Sequence, residues 1–523
     1  MILALACLAV LALSRTADAD DLDRVKTRGV LVWGADQEGG GPYVYPRDDD
    51  PSQVTGFEVE LADLIAAKLG VRAQLFQGNW DKLPDLLRVG QIDVVMNGYE
   101  LTTEHAAAME ATKPYYYYGL QLLVRVGGPV SGFTDLSRPP SGGGKWRIGV
   151  LTGSAAETTA KRLFHDTSTI ASYDGNTDSM REVENDKLDA TIQDTPIVSF
   201  YMPRFPKLLT AGQPIDGGFY VLYARKGESR LVSAIDDALA ALYREGALRR
   251  LYEKYGIWNE QQSALARVFA SPGPSPSSSA QPDASSVLVS PGPPVEPIRA
   301  SEPKHGFAVV RADGGILLES AGMTILLSVT AFPIAVLLGL GVALGRRYGP
   351  WPLAKLLGAY VEILRGTPLM LQLFFLFFFL PELGLRMSAL PTAILGLSLN
   401  YSAYESEIYR AGLQAVPVGQ TEAALALGLT RWQAIRRVVI PQASRIVIPP
   451  VVNDFIALFK DTSVCSVVTV IELTKRYSVL NMSTQATVEL TLMTALLYLA
   501  MSFPLAVLSR RLERRLGVQA VHA

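Results

Sequence analysis

Thr421–Pro441 reads TEAALALGLTRWQAIRRVVIP. Its first part, rich in Ala and Leu, favours a short helix, and small side chains allow close approach to a partner groove. Gly428 can adopt the left-handed stop that ends such a helix. Thr430-Arg-Trp-Gln433 then has the spacing of a capping box opening a second helix. A Glu near a helix start is favoured by the helix dipole and can face a basic partner, which places Glu422 there.

Long apolar runs lie on both sides of this stretch. They cover approximately 316–344, 353–380, 389–409, 446–471 and 486–508. Each approaches the roughly 20 residues needed to cross a bilayer, so five membrane spans are expected. Pro368 and Pro381 can kink or break the second. Arginines gather after span 1 (Arg346, Arg347), between spans 3 and 4 (Arg431, Arg436, Arg437, Arg445) and after span 5 (Arg510, Arg511, Arg514, Arg515). The positive-inside rule puts these segments and the C-terminus in the cytoplasm, and the start of span 1 outside. Charges at membrane depth are costly and usually functional, which singles out Glu405, Glu407, Lys460 and Asp461. Lys460 and Asp461 read equally as a local ion pair or as gating residues.

Upstream the chain changes character. Residues 306–523 carry a net charge of +6 and the remainder −8, within a 523-residue chain of net −2. An acidic part and a basic, oily part suit two environments, and the overall balance excludes a polybasic nucleic-acid binder. Residues 261–305 hold nine prolines between 272 and 303 among Ser, Ala and Gly, a composition that cannot bury a core and acts as a tether. Residues 1–19 read as a signal peptide: MILALACLAVLAL is apolar but too short for a normal span, and Ala17-Asp18-Ala19 fits a cleavage site. The two cysteines, Cys7 and Cys465, both lie in apolar stretches, which excludes a disulfide framework and a Cys-based zinc site.

Residues 20–260 alternate short apolar strands with helical periodicity. Val30–Trp33 is a strand, Phe57–Leu69 a helix closed by Gly70, Trp80–Val89 a helix closed by Gly90, and Ile92–Met96 a buried strand. Arg147–Val150 and Leu188–Ile192 are later strands, and 231–256 a final helix pair. The pattern predicts parallel sheets with a ligand at the strands' C-terminal ends.

The ordered series RGVLVWGAD, GFEVELADLIAAKLG, NWDKLPDLLRVGQIDVVMNGYELTTEH, KPYYYYGLQLLVR, RIGVLTGSAAE, KLDATIQDTP and LRRLYEKYGIW resembles the family 3 extracytoplasmic solute-binding proteins of polar amino-acid ABC importers. The resemblance covers nearly all of 22–258. It implies two α/β lobes joined by crossing strands, lobe 1 at 22–124 plus 218–260 and lobe 2 at 125–217. It also implies substrate-binding roles for Trp80, Asn97, Glu100, Thr102, His105, Ser154 and Asp194. Asp194 corresponds to the acidic residue that takes the ligand's ammonium, and Ser154 sits at a helix start, where free N–H groups bind anions.

The chain departs from that family at four points. His105 stands where an Arg clamps the ligand carboxylate. Glu100 replaces a small hydroxyl residue, and Ala155 a Thr. Gly39-Gly40-Gly41 precede Pro42 where an aromatic is usual. Two readings follow: Glu100 and Asp194 form an acidic cleft for a cationic or polyamine-like ligand, or Glu100 pairs with His105 and a carboxylate is held elsewhere. The run Tyr115–Tyr118 reads as packing and hinge more readily than as an aromatic cage.

Glu422-Ala423-Ala424, Gly428, Val438, Ile440 and Pro441 resemble the EAA loop of ABC importer permeases. RGTPLMLQLFF (365–375), YSAYESEIYRAGL (401–413) and NDFIALFKDTSV (453–464) are similar to the polar amino-acid (histidine/glutamine-type) permeases. The expected architecture is therefore an α/β two-lobed periplasmic-binding-protein domain at 20–260, then an all-α five-span permease domain at 306–523. The resemblance implies ATPase coupling through Glu422, Ala423, Ala424 and Gly428, and membrane gating by Glu405, Lys460 and Asp461. It also implies a homodimer through the permease domain, in the bacterial cytoplasmic (inner) membrane with the binding domain outside. GxxxxGK[ST] does not occur, because Gly142-Gly-Gly-Lys145 is followed by Trp146. ATP and Mg then belong to a separate ABC ATPase, and no cofactor, metal or catalytic residue is expected in this chain. The function expected is the binding and permease subunit of an importer of polar amino acids or related amine-containing solutes. An amino-acid-gated channel or a sensor of the same binding fold is the alternative.

Overall fold

The computed structural model describes residues 21–173, 175–270, 305–484 and 486–516. The signal-peptide reading of 1–19 and residues 271–304 of the tether lie outside the described residues; residues 261–270, expected in the tether, instead form helical turns that bury Gln262 and Leu265 against the first unit. Two compact units are present, one running to Ala312 together with Ser478–Ala486, the other Asp313–Tyr477 with Thr487 onward.

The first unit has two five-stranded sheets. In one, Val30–Ala35 pairs in parallel with Arg72–Gln77 and with Val94–Val95, and Tyr223–Ala224 joins antiparallel between Val94–Val95 and Glu110–Ala111. In the other, Trp146–Leu151 runs parallel to Ser168–Tyr173 and to Ala190–Asp194. The paired strands Tyr116–Arg125 and Leu208–Tyr220 complete it in antiparallel fashion. Both sheets are thus mixed rather than purely parallel, because the chain crosses between lobes and returns in the opposite sense. The crossing pair also belongs to the second sheet along its whole length, so lobe 2 begins near Tyr116, earlier than the expected boundary at 125.

Local chemistry accounts for most boundaries. Phe57–Leu69 forms as expected, with Gly70 in the left-handed region at φ +75°. Gly56, at φ +139°, enters that helix where an added Cβ would sit 1.9 Å from the Tyr43 carbonyl oxygen, so only glycine fits. The expected helix Trp80–Val89 is split into a 3₁₀ turn, Trp80–Lys82, and a helix, Leu83–Arg88, with Pro84 in its first turn. Ile92–Met96 is buried throughout, but only Val94–Val95 joins the ladder. The run Tyr115–Tyr118 packs inward: the Tyr115 hydroxyl donates to Glu58 at 2.5 Å and the Tyr116 hydroxyl to the Ile257 carbonyl at 2.6 Å.

The second unit is helical. Among the described residues two helices are long and apolar enough to cross a membrane, Phe307–Tyr348 and Thr487–Leu512, and three spans result if a bent pair is one. The expected count of five is not reached on length and apolarity. Ala389–Ala415 is long enough, but it buries Ser398, Asn400, Ser402, Glu405 and Ser406. These polar side chains are packed against protein, and the helix does not meet the apolarity of a span. Ile440–Asp461 likewise carries Arg445, Asp454 and Lys460.

The bent pair is Trp351–Gly366 with Leu369–Phe379, turned by 112° at Thr367-Pro368. Pro368 cannot donate to the preceding turn, so carbonyl groups are freed there. Gln372 meets them: its Nε2 donates to the Leu364 carbonyl at 2.8 Å and the Thr367 carbonyl at 3.1 Å. Asn400 holds Gln372 in place through Nδ2 to Oε1 at 3.1 Å. Irregular backbone at membrane depth needs such protein partners. Gln372→Leu should therefore destabilise the permease by about 2 kcal/mol. A lowered melting temperature in detergent checks this, and an unchanged one would show that the break is satisfied otherwise.

Candidate functional site

Several strands of the first unit end at its cleft by their C-terminal ends, among them Val30–Ala35 before Asp36, Val94–Val95 before Asn97, and Ala190–Asp194, the position expected for ligands in such sheets. The cleft encloses about 560 Å³, part of it open to solvent, and is lined by Asp36, Tyr43, Trp80, Asn97, Gly98, Glu100, Leu151, Ser154, Ala156, Asn176, Ile192, Gln193, Asp194 and Ile197. Trp80, Asn97, Glu100, Ser154 and Asp194, singled out in the sequence, are together here. Thr102 and His105 are not among the lining residues. Thr102 instead caps the short helix Thr103–Ala108, its hydroxyl accepting from the His105 N–H at 3.1 Å. The His105 ring packs against Tyr99 and Tyr223. Its Nδ1 lies 3.3 Å from the backbone carbonyl of Glu100, so the contact is with main chain and not the Glu100 carboxylate.

The wall is built by hydrogen bonds. Asp36 follows Val30–Ala35, and its carboxylate accepts from the Trp80 N–H at 2.9 Å and from Gln77 Nε2 at 2.8 Å. Trp80 Nε1 donates to the Asn97 carbonyl at 2.9 Å, and the indole stacks on Tyr99 at 4.5 Å. Glu58, fully buried in the first turn of its helix, accepts from the Gly98 N–H at 2.8 Å. Burial pushes its carboxyl up to about 7. That value lies above the ordinary 4.5, so the neutral form favours the folded state. The contribution is complete below about pH 4.5 and is lost as pH rises through about 7, a swing of about 3 kcal/mol. The melting temperature of the binding unit should be lower at pH 8 than at pH 5, and Glu58→Gln should remove that part of the slope.

Two carboxylates face the ligand space. Glu100 is 2% exposed, and its Oε1 accepts from the Ala155 N–H at 3.0 Å. Asp194 accepts from the Tyr220 hydroxyl, which pairs with the Tyr43 hydroxyl at 2.8 Å. Burial raises both carboxyls above the ordinary range, and the Asp194 charge raises Glu100 further. Ser154 caps the helix Ala155–Phe164, accepting from the Glu157 N–H at 3.2 Å. Tyr43, Tyr220 and Asp36 were not legible from sequence. Each is placed by pairing across 40 or more residues, although Asp36 could have been found as the polar residue closing the first strand.

In the second unit the quoted loop behaves as its residues dictate. The helix Val418–Ala426 ends at Gly428, φ +81°, whose N–H donates to the Leu425 carbonyl at 3.0 Å. The capping box is complete, with the Gln433 N–H to Thr430 Oγ1 at 3.3 Å and the Thr430 N–H to Gln433 Oε1 at 2.9 Å. Pro417 starts the first helix a turn earlier than expected, so Glu422 lies mid-helix and gains little from the dipole. Glu422, Ala423 and Gly428 are exposed and Ala424 buried. Glu405 is fully buried. Lys460 and Asp461 close a helix end, and Asp461 accepts from the Tyr401 hydroxyl at 2.7 Å, tying two helices together. Glu407 pairs with Arg346 and, at 2.6 Å, with Arg410.

Residues 31–257 match the bacterial extracellular solute-binding proteins, family 3. Residues 335–518 match the binding-protein-dependent transport system inner membrane component family. The L-cystine transport system permease protein TcyB of Bacillus subtilis (strain 168) is 37% identical over 194 residues, 37% of this chain and 83% of that protein. The glutamine transport system permease protein GlnP of Escherichia coli (strain K12) is 35% identical over 205 residues, 39% of this chain and 94% of that protein. Among solved structures, an amino acid ABC transporter with histidines is 34% identical, covering 40% of this chain and 98% of its own, with a TM-score of 0.39. The chain belongs to the binding-protein-dependent transport system inner membrane component family, with a family 3 solute-binding domain fused ahead of its permease part.

Proposed function

We propose that this chain is both receptor and membrane subunit of an ATP-driven importer for polar amino acids or related amine-containing solutes. The observation that carries it is one chain holding a two-lobed cleft with carboxylates at its strand ends and a helical unit presenting an exposed helix–glycine–helix loop. The cleft takes the solute through Asp194, with Trp80 as wall and Asn97 and Ser154 as polar neighbours. A separate ABC ATPase, holding ATP and Mg, docks on Glu422–Ala424. Two copies pair through the permease part, which supplies the second half of the path. Five spans, counting the polar helices Ala389–Ala415 and Ile440–Asp461, put the binding domain outside the cytoplasmic membrane and the C-terminus inside. Glu405, Lys460 and Asp461 lie on the helices that change the path's access. The tether keeps the receptor near its permease at an effective concentration toward the millimolar range.

Uptake of radiolabelled solute into proteoliposomes holding this chain and its ATPase tests the reading. Accumulation should require ATP inside the compartment that the EAA loop faces. Solute-gated current without ATP would replace the reading with a channel.

A further inference from the structure

We propose that the cleft selects organic cations that lack a carboxylate, because Glu100 occupies the place where a ligand carboxylate would sit. The inference rests on the solute-binding reading above and narrows its ligand. An amino acid needs two opposite partners, one for its ammonium and one for its carboxylate. Among the described residues the cleft lining has Asp36, Glu100 and Asp194 but no Lys, Arg or His. Asp36 is occupied with the Trp80 N–H and Gln77, leaving Glu100 and Asp194 to define the charge of the ligand space.

The alternative anion receptor is the start of the helix Ala155–Phe164, where N–H groups lack partners within the helix. Two of those N–H groups are already taken by protein side chains. The Ala155 N–H donates to Glu100 Oε1 at 3.0 Å, and the Glu157 N–H donates to Ser154 Oγ at 3.2 Å. Glu100 reaches it from the loop after Val94–Val95, on the opposite lobe, so a protein carboxylate sits at the start of the helix. A zwitterion entering this space would have to displace Glu100 and then hold its own carboxylate beside two others. Gln193 also lines the cleft; it is 1% exposed, and its Nε2 donates to Ser179 Oγ and Thr191 Oγ1 at 2.8 Å, so it adds no positive charge to the space. The site therefore offers acceptors and an indole face to a group rich in N–H donors, a combination suited to an amine or guanidinium.

Matched pairs that differ by the carboxylate alone give the test: agmatine against L-arginine, cadaverine against L-lysine, and putrescine against L-ornithine. Binding is measured by calorimetry on the full chain in lipid nanodiscs. The decarboxylated member of at least one pair should bind about 100-fold more tightly than its amino acid. Glu100→Thr vacates the Ala155 N–H and should shrink or reverse that preference. Glu100→Gln keeps an acceptor there without the charge, and should weaken the amine without gain for the amino acid. An amino acid binding as tightly as its decarboxylated partner overturns the inference and leaves the importer reading standing. Binding of neither class overturns both.

Discussion

Asp194→Asn should weaken binding of any amine-bearing ligand by about 100-fold, the cost of removing one member of a buried charged hydrogen-bonded pair. The expectation holds for an amino acid and for a simple amine alike, since both present a cationic nitrogen. Asp194 ends the strand Ala190–Asp194 and is held by the Tyr220 hydroxyl, which the Tyr43 hydroxyl orients at 2.8 Å. Asn preserves the shape and an acceptor for Tyr220, so only the charge changes. Burial makes that charge costly in the empty site and raises the Asp194 carboxyl. The variant should accordingly melt no lower than the parent at pH 8, separating loss of affinity from loss of fold. The same direction predicts that parental affinity falls on acidification from about pH 8 toward about pH 5, as the raised carboxyls of Asp194 and Glu100 take up protons. Calorimetric titration at three pH values measures both effects, and undiminished affinity in D194N would remove Asp194 from the binding site.

Glu422→Lys should reduce ATP-driven uptake to background while ligand affinity stays within about twofold, because the cleft and the loop belong to different compact units. The helix Val418–Ala426 buries Ala424 and turns Glu422 and Ala423 outward. Leu427 and Trp432 flank them with 84% and 67% of their surface exposed. An acidic side chain within an exposed apolar patch suits a partner groove carrying basic charge, and reversing its sign places like charges in contact. Uptake in proteoliposomes and calorimetry on the same preparation check the two halves. Uptake at the parental rate in E422K would show that coupling runs through another surface.

The Thr421–Pro441 loop was legible because its determinants are local. A glycine able to adopt positive φ and a Thr–Gln pair three residues apart fix a helix stop and start within ten residues, and the structure has both. The Phe57–Leu69 helix, its Gly70 stop and the break at Pro368 are local in the same sense. The family resemblance implied the two-lobed architecture and binding roles for Trp80, Asn97, Glu100, Thr102, His105, Ser154 and Asp194, of which the cleft is lined by all but Thr102 and His105. Tertiary structure decided what depends on distant partners. Mixed sheets arise from the return strand, which pairing and not composition directs. Ala389–Ala415 buries polar side chains that only tertiary packing can partner, and two apolar helices, or three spans with the bent pair, stand among the described residues where five were expected. His105 turns toward Tyr99 and Tyr223, and Glu100 reaches the Ala155 N–H 55 residues away. The family resemblance gave both as candidates for the ligand. Their surroundings separate them, since a charge at a cleft is defined by which hydrogen bonds the fold has already made.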